Sequence, residues 1–501
     1  MKQAILLLLH KNFNQAQKLI RYFEGECDII IHVDKSGSIS NSEKEILRKM
    51  PGVLAVYSKY KVKWAGFSIL QAEIFLLKQA LKICNANYYH LLSGQDYPVR
   101  PLNNFLNFFS HTKVAGFVGC SVMNPIVGDS NNFSRLQYYA LNDYINARTP
   151  DGKKKLWDFV DWQKRHGIKR HLPKHFDILY CGSAWFSINR SLVEYLVDYT
   201  ESNRSFYRRM RFTFAPEEVY ISTVLLNSQW KDRVIGNNNC RFISWKHPGL
   251  DCSPTNMKEK DFYRLLLNKD IFFARKVDES DSRDLIKMID KYLLVPHTCH
   301  IEANGGWNTI NILSYKYDNG LNDALIQIVR DLKVKSVCDF GCGNGIYVAN
   351  MRRMGICAVG YDCNPHTIEL TGMVSSVDHN CFGIADLTES VYSSTPFEVI
   401  LSIAVGQYIP VRYEDIYIEN LKRNSKKYII VSWANKNFDG EGYINRKTEY
   451  DIIKKMTQDG LFIFNEIATV NLRNKCFLSE YRETILVFQR IKNEGLSSEK
   501  I

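Results

Sequence analysis

Residues 337–345 read VCDFGCGNG: an apolar run, an acid, then glycines at 341, 343 and 345. Glycines at that density let a backbone turn tightly and press against a bound ligand. VKSVCDF before the loop has the character of a strand, YVANMRRMG after it that of a helix, and AVGYD that of a second strand ending in Asp362. The unit is therefore β-α-β with an acid about 20 residues beyond the glycines, an arrangement that cradles a nucleotide-like cofactor and binds its ribose hydroxyls. No Gly-Lys-Ser/Thr closes the turn, which excludes a phosphate P-loop, and the alternating glycines also depart from GxGxxG.

This loop begins two thirds of the way along a chain of 501 residues. One hydrophobic core usually stops growing near roughly 250 to 300 residues, so two domains are expected. Hydrophobic residues at 45% and charged residues at 24% exclude a disordered or fibrous chain. The early apolar run AILLLL at 4–9 meets His10 and Lys11 long before the roughly 20 residues of a membrane span, and no small-residue cleavage site follows. It reads as the buried first strand of a cytoplasmic protein. Thirteen cysteines, odd in number and irregularly spaced, read as reduced thiols. Cys338, Cys342, Cys357 and Cys363 contain no CxxC pair, so they read as small buried residues rather than zinc ligands, and no metal is expected.

The net charge of +12 is uneven: after residue 296 there are 22 Lys and Arg against 24 Asp and Glu, and before it 43 against 29. GKKK at 152–155, KRHGIKRHLPKH at 164–175 and RSFYRRMR at 204–211 carry much of the excess. Such a field suits a phosphorylated small substrate, an anionic membrane surface or nucleic acid. A solvated basic face is the commonest explanation for any single run. Short β-like runs, AILLLL, DIIIHVD, VLAVY and YYHLLSG, alternate with amphipathic segments in this first part, the pattern of a mainly parallel sheet. Leu285, Ile286, Ile289 and Leu293 mark a closing helix, and VPHTCHIEANGGW after it reads as a linker. The division is placed at 1–296 and 297–501.

Over residues 305–492 the chain resembles the class I S-adenosylmethionine-dependent methyltransferases. DFGCGNG is similar to their first motif, GYDCNP to the second, IADL to the third, and EVILSIAVGQYIP to the fourth strand and its following loop, in order. The resemblance implies a Rossmann-like domain with a seven-stranded, mainly parallel sheet. It places Asp339, Gly341 and Gly343 around the methionine part of S-adenosylmethionine, Asp362 at the ribose, Asp386 at the adenine amine, and Ile403 of the fourth strand against the cofactor. An Asp ending a strand can also simply cap the next helix. Gln407, Tyr408, Ile409 and Pro410 stand where many relatives have Glu-His-Ile-Pro. The Asn/Asp-Pro-Pro-aromatic stretch that stacks on a flipped base is absent, which disfavours amino methylation of nucleic acid. An oxygen acceptor needs a general base, for which His297, Tyr408 and Glu480 are the candidates.

In the first part the informative stretches are IIIHVDKSG (29–37), KWAGFSILQAEIFLLKQAL (63–81), YYHLLSGQDYPVRP (88–101), YCGSAWFSINR (180–190), FAPEEVYISTVLLNS (214–228), RFISW (241–245) and FFARKVD (272–278). They resemble the core-2/I-branching N-acetylglucosaminyltransferase and peptide xylosyltransferase family over nearly all of residues 1–296. The resemblance implies a GT-A-like α/β domain and inverting transfer from a UDP-sugar. Inversion requires one attack by an acceptor hydroxyl, with a carboxylate taking its proton while charge develops on the departing diphosphate. Glu218 matches the family base and Glu217 replaces its neighbouring Asp. The plainer role is a pair of acids opening a helix, where they meet its dipole favourably.

Lys276 matches the family lysine that stabilises the diphosphate without metal, and Arg275 is a natural bidentate helper. HVDKSG supplies only Asp34 where a metal-binding Asp-any-Asp motif would stand. A second basic residue found in some members falls near residues 253–256, where this chain has none, so either Arg275 or Lys258 substitutes or stabilisation of the leaving group is weaker. His32, Val33, Asp34, Gly94, Gln95, Asp96, Gly182 and Ser183 are expected on the donor side. Arg135, Trp185, Glu217 and Trp245 are expected along the acceptor groove, although core packing explains either tryptophan as well.

These features lead to an expected bifunctional enzyme, adding a sugar, GlcNAc or xylose, to a glycan or lipid-linked oligosaccharide and then methylating it in bacterial surface polysaccharide synthesis. Peripheral contact with an anionic inner membrane is expected, and nucleic acid is not. The alternatives are a methyltransferase with an inactive glycan-binding first domain, and an RNA methyltransferase whose basic half grips phosphates.

Overall fold

The computed structural model describes residues 1–123, 130–174, 176–245, 253–268, 270–294, 300–374 and 379–491. The chain forms two compact units, Met1–Leu294 and Val295–Ile501.

The first unit contains strands β1 (Gln3–Leu9), β2 (Cys27–Val33), β3 (Val53–Tyr57), β4 (Tyr88–Ser93), β5 (Asp96–Pro98), β6 (Gly116–Val122), β7 (Tyr180–Asn189), β8 (Val234–Ile235), β9 (Arg241–Ile243) and β10 (Phe273–Arg275). Its main sheet runs β3-β2-β1-β4-β7-β6-β8. β1, β2, β3 and β4 are parallel, whereas β7 is antiparallel to both β4 and β6. All seven residues of β2 are buried, Asp28 and His32 included, as in a strand covered on both faces. Leu8 lies opposite His32 and Ser93, so His10, Asp34 and Gly94 all emerge at one carboxyl edge, where α/β sheets gather ligands.

A second, three-stranded sheet orders β5-β10-β9. It brings SGQDYP, RFISW and FARK side by side, pairing Arg275 with both Asp96 and Ile243. Three motifs far apart in sequence thus become one structural unit. The amphipathic pattern near residue 290 forms the helix Arg283–Tyr292, whose Leu285, Ile286 and Ile289 are buried.

The second unit opens with β11 (His300–Ile301) and β12 (Trp307–Asn308), a small hairpin. Then come β13 (Val337–Phe340), β14 (Ala358–Asp362), β15 (Phe382–Ile384), β16 (Phe397–Ile403), β17 (Ser425–Ser432), β18 (Phe462–Phe464) and β19 (Ile485–Arg490), in the order β15-β14-β13-β16-β17-β19-β18. β13 to β17 are parallel and β19 is antiparallel to both its neighbours. β13 sits where the strand order reverses, so the glycine loop leaves the sheet at its topological switch point. No helix among the described residues is long and apolar enough to cross a membrane. None of the eleven described cysteines is in a disulfide.

Candidate active sites

In the first unit, helix Glu217–Leu226 starts immediately after Pro216, and it packs on β7 through Thr223, whose hydroxyl bonds the Tyr180 backbone at 3.0 and 3.1 Å. Glu218 is ion-paired with Arg135, and both side chains remain accessible, at 31% and 23% exposure. The Arg135 guanidinium lies 5.3 Å from the Phe214 ring centre, and Phe214 meets Trp64 edge-on at 5.7 Å and Trp157 at 5.9 Å. An aromatic wall therefore flanks the carboxylate. Trp64, Phe214 and Trp157 were not singled out by sequence reasoning; Trp64 and Phe214 lie within recognised motifs and Trp157 just beyond the basic run GKKK, but only folding brings them together beside Arg135.

Glu217 turns inward instead. It is buried, one carboxylate oxygen has no partner, and burial followed by the charge of Glu218 pushes its pKa up to about 8. Glu73, fully buried in helix Phe67–Ile83, has both oxygens unpartnered and a pKa raised well above the carboxyl range by burial, Glu217 and Glu218. A proposed acceptor contact at Glu217 thus has to reckon with a buried group. Glu73 lies in the quoted 63–81 stretch but looks like any helix acid until it is seen to be enclosed.

Within β7, Trp185 carries Arg275 over its ring at 4.1 Å. Arg275 also bonds Ser93 Oγ and pairs with Asp96 at 3.5 Å. Lys276 donates to Ser253 Oγ at 2.6 Å. Its pKa falls to about 8, through burial first and then the nearby charges of Arg275, Arg148 and Lys11. Lys258, the other proposed substitute, donates to the Asp281 carbonyl at 2.6 Å.

Of the donor-side residues, Asp34 accepts bonds from Ser36 N, Ser36 Oγ and Val62 N at 2.8–2.9 Å, which anchors the loop beyond β3. His32 Nε2 accepts from the Lys59 and Tyr60 amides, so the ring proton resides on Nδ1, which is buried without a partner. Burial lowers the His32 pKa to about 4, keeping the ring neutral. Val33 is wholly within the core. Gln95 donates to Asp278 at 3.2 Å and accepts from Val277 N through its carbonyl, while Gly94 packs against Leu9. The 94–96 turn thereby fastens β4 to the segment bearing Lys276. Ser183 Oγ accepts from Asn239 at 3.0 Å. Gly182 is required by its neighbour, since a Cβ there would collide with the Gly119 carbonyl on β6. Trp245 follows β9 partly buried, and no described contact joins it to Arg135 or Trp185.

In the second unit one pocket gathers Asp339, Gly341, Gly343, Asp362, Asp386 and Ile403. Gly341, Gly343 and Gly345 have φ of +84°, +54° and +74°, a region that side chains disfavour. A Cβ at 341 would also run into Val405, and one at 343 into the Tyr315 ring. Asp362 accepts from Gly343 N at 2.8 Å and Asn364 N at 2.9 Å. Asp386 accepts from Asn304 at 2.7 Å and from the Thr388 amide and hydroxyl. Asp339 is different: its Oδ1 is buried with no partner, and burial plus the charge of Asp362 raises its pKa to about 7.

The paired glycines expected of a linker belong to this pocket, for Asn304, Gly305, Gly306 and Trp307 all line it. Trp307 meets Tyr315 at 5.7 Å and Tyr408 edge-on at 5.3 Å. Lys316, also on the lining, pairs with Glu480 and donates to Tyr443 at 2.6 Å, and Tyr443 donates to Glu480 at 2.8 Å. Of the three candidate bases, Tyr408 lines the pocket, Glu480 is engaged by Lys316 and Tyr443, and His297 lies outside the described residues. Among the described residues, no cluster of three or more His, Cys, Asp or Glu could hold a metal ion.

The two folds and their sites define a two-domain α/β protein with a separate candidate transfer site in each unit. Residues 4–266 match the family described as Core-2/I-Branching enzyme, and residues 313–449 match a methyltransferase domain. The chain belongs to the Core-2/I-Branching enzyme family and carries a methyltransferase domain behind its glycosyltransferase domain. Its relatives include xylosyltransferase 2 of Canis lupus familiaris, 26% identical over 58% of this chain and 33% of that protein, and xylosyltransferase 1 of Mus musculus, 26% identical over 58% and 30%. The chain thus spans about a third of the length of these relatives. Similar solved structures include magnesium protoporphyrin IX methyltransferase from Synechocystis PCC 6803 with bound SAH, at 18% identity over 34% of this chain and 82% of that one with a TM-score of 0.27. Another is a TehB-like SAM-dependent methyltransferase from Corynebacterium glutamicum, at 16% over 34% and 88%, also with a TM-score of 0.27.

Proposed function

We propose that the first unit performs an inverting, metal-independent transfer of GlcNAc or xylose from a UDP-sugar to a glycan or lipid-linked acceptor, and that the second O-methylates the same glycan. The observation that carries the first half is that both candidate groups adjoin β7: Arg135, ion-paired with Glu218, is influenced by Cys181 near the start of the strand, and Arg275, next to Lys276, stacks on Trp185 at its middle. Glu218 would take the acceptor hydroxyl proton as the oxygen attacks the anomeric carbon, and Lys276 would neutralise charge gathering on the departing diphosphate. Arg275, stacked and paired inside the fold, positions Lys276, Asp96 and Trp185.

S-adenosylmethionine fits the second pocket because Asp339 offers a buried, unpartnered carboxylate oxygen and the glycine loop lets a ligand approach the backbone. When bound it supplies an electrophilic methyl group. Asp339, Gly341 and Gly343 would hold its methionine part, Asp362 the ribose, and Asp386 the adenine, with Ile403 beneath. The aromatic ring of Trp307, Tyr408 and Tyr443 suits the face of a sugar acceptor. Covalent linkage of the two activities supports successive steps on one bacterial surface glycan, made in the cytoplasm or at the inner leaflet, where the basic first unit would meet anionic lipid.

The test combines binding of UDP, UDP-GlcNAc, UDP-xylose and S-adenosylmethionine with a two-step labelling experiment. Product of the first transfer is isolated and offered labelled methyl donor. Absence of nucleotide binding rejects the glycosyltransferase reading, and failure of the sugar product to become methylated rejects successive action. If E218Q leaves every activity intact, the first unit is a binding module.

A further inference from the structure

Two of the three basic runs, KRHGIKRHLPKH at 164–175 and RSFYRRMR at 204–211, belong to neither candidate site, yet the fold brings them together. Gln163, buried near the end of helix Pro150–Arg165, clasps the Tyr139 backbone, accepting from its amide at 2.8 Å and donating to its carbonyl at 2.9 Å. Arg170 and the Ala140 amide both donate to the Phe212 carbonyl at 2.9 Å. Arg209 donates to the Leu136 carbonyl at 3.1 Å and to the His171 carbonyl. Residues 136–144, 162–172 and 208–212 are thereby fastened into one surface. It adjoins the Arg135 and Glu218 pair, since Leu136 follows Arg135 in the chain and Phe214, two residues beyond Phe212, packs on the Arg135 guanidinium.

The charge of this surface is one-sided. The three segments hold seven Lys and Arg against Asp143 alone, and Asp143 is engaged by the Phe67 amide and by the Ser68 amide and hydroxyl. Arg165, Lys169, Arg208 and Arg211 are exposed and form no ion pair among the described residues. The same segments expose apolar groups: Tyr144 is 61% and Trp162 42% accessible, and Tyr139, Ile168 and Leu172 also face solvent. Tyr144 accepts from Arg211 at 2.9 Å and stacks on Phe212, and Arg170 stands 5.0 Å over the Tyr139 ring. Unpaired cations interleaved with exposed Tyr, Trp and aliphatic side chains suit a partner that is anionic at its surface and apolar just beneath. A nucleic acid or a soluble acidic glycan would answer the charge but leave Ile168 and Leu172 in water.

We propose that this surface docks the first unit on a bilayer rich in anionic lipid, with its arginines and lysines meeting lipid phosphates while Tyr144, Trp162, Ile168 and Leu172 enter the headgroup layer. Glu218, beside the surface, then receives an acceptor carried by a lipid. That consequence rests on the sugar-transfer reading, whereas the docking itself is measured without it.

The experiment titrates the full-length protein with phosphatidylcholine vesicles, with and without phosphatidylglycerol, and with heparin as a soluble polyanion at the same salt. Wild type is expected to bind the anionic vesicles only, and more weakly as salt rises. R165A/K169A/R208A/R211A should weaken that binding by roughly a hundredfold or more, at about fivefold per cation. K335A/K426A/K436A/K475A, which removes four exposed lysines of the second unit, should stay near wild type. I168S/L172S should weaken vesicle binding about threefold or more and leave heparin binding unchanged. UDP titration of each variant reports whether the first unit is still folded; should the four-cation variant unfold, I168S/L172S alone decides. Failure of wild type to bind anionic vesicles overturns the proposal. Equal losses in the two four-cation variants overturn it as well, as the mark of diffuse charge, and so does wild-type vesicle binding by I168S/L172S, as the mark of a general polyanion surface. A wild type that binds vesicles but not UDP rejects the sugar-transfer reading and leaves the docking surface standing.

Discussion

Arg135 and Glu218, eighty-three residues apart, form an ion pair in the first unit, at the site proposed for sugar transfer, with Phe214 against the arginine and Glu217 turned into the protein. Two adjacent acids thus occupy opposite environments. Glu218 is the one that an acceptor can reach, so E218Q should lower the rate of sugar transfer about 10²- to 10⁴-fold, the scale of a lost general base. R135M should cost less, and UDP affinity should stay within twofold in both. Transfer assays with UDP-xylose and UDP-GlcNAc check this; an E218Q enzyme with near wild-type turnover would falsify the assignment.

Lys276 should impose an alkaline limit on sugar transfer. Burial and neighbouring cations lower its pKa to about 8, so its charge is present below that pH and lost above it. The profile of kcat/KM should fall as the pH rises through about 8, and K276R should remain active further into the alkaline range because a guanidinium does not titrate there. Identical alkaline limbs in the two enzymes would rule Lys276 out as their source.

Glu73 and Glu217 make the first unit less stable as pH rises. Burial and carboxylate neighbours raise both pKa values, Glu217 to about 8, so the folded state holds protons that the unfolded chain releases. The contribution of these two groups to stability is consequently greatest at the acid end and declines from the ordinary carboxyl range upward, for Glu217 up to about 8. E73Q removes one buried charge and should stabilise the protein by roughly 1 to 3 kcal/mol near pH 8, with little change near pH 5. Melting curves at the two pH values measure the difference, and a wild type and E73Q that shift in parallel would contradict it.

Asp339 should make cofactor binding pH-dependent in the opposite sense. Its pKa, raised to about 7 by burial and Asp362, must be passed before the carboxylate is fully charged to meet a cationic methionine moiety. S-adenosylmethionine should bind more tightly as the pH rises from 6 to 8. D339N should bind weakly at both values with a flatter profile. Calorimetry at the two pH values decides it.

Gly343 combines a φ of +54° with the Tyr315 ring at the place a Cβ would occupy. G343A should therefore weaken S-adenosylmethionine at least tenfold while leaving UDP binding unchanged. Loss of both ligands together would mean that the substitution unfolds more than its own loop.

The glycine loop was legible because local backbone demands leave their mark on residue type: three alternating glycines are needed where φ is positive three times. The acids ending β13 and β14 followed from the same β-α-β logic, and all six cofactor residues expected from the sequence line one pocket. Trp307 and Gly306 were misread as linker because their role depends on a hairpin folding back over the loop. Gly182 was legible as a special position, yet the reason lies in a β6 carbonyl that the sequence cannot show.

By itself, then, the sequence determined two α/β units, their families and the residues whose chemistry sits in short contiguous motifs, since local geometry selects local residue types. Only the tertiary structure decided which of two adjacent glutamates faces solvent and which arginine is spent inside the fold. Those outcomes depend on desolvation and on charges brought together from distant segments, and both arise only when the chain closes on itself.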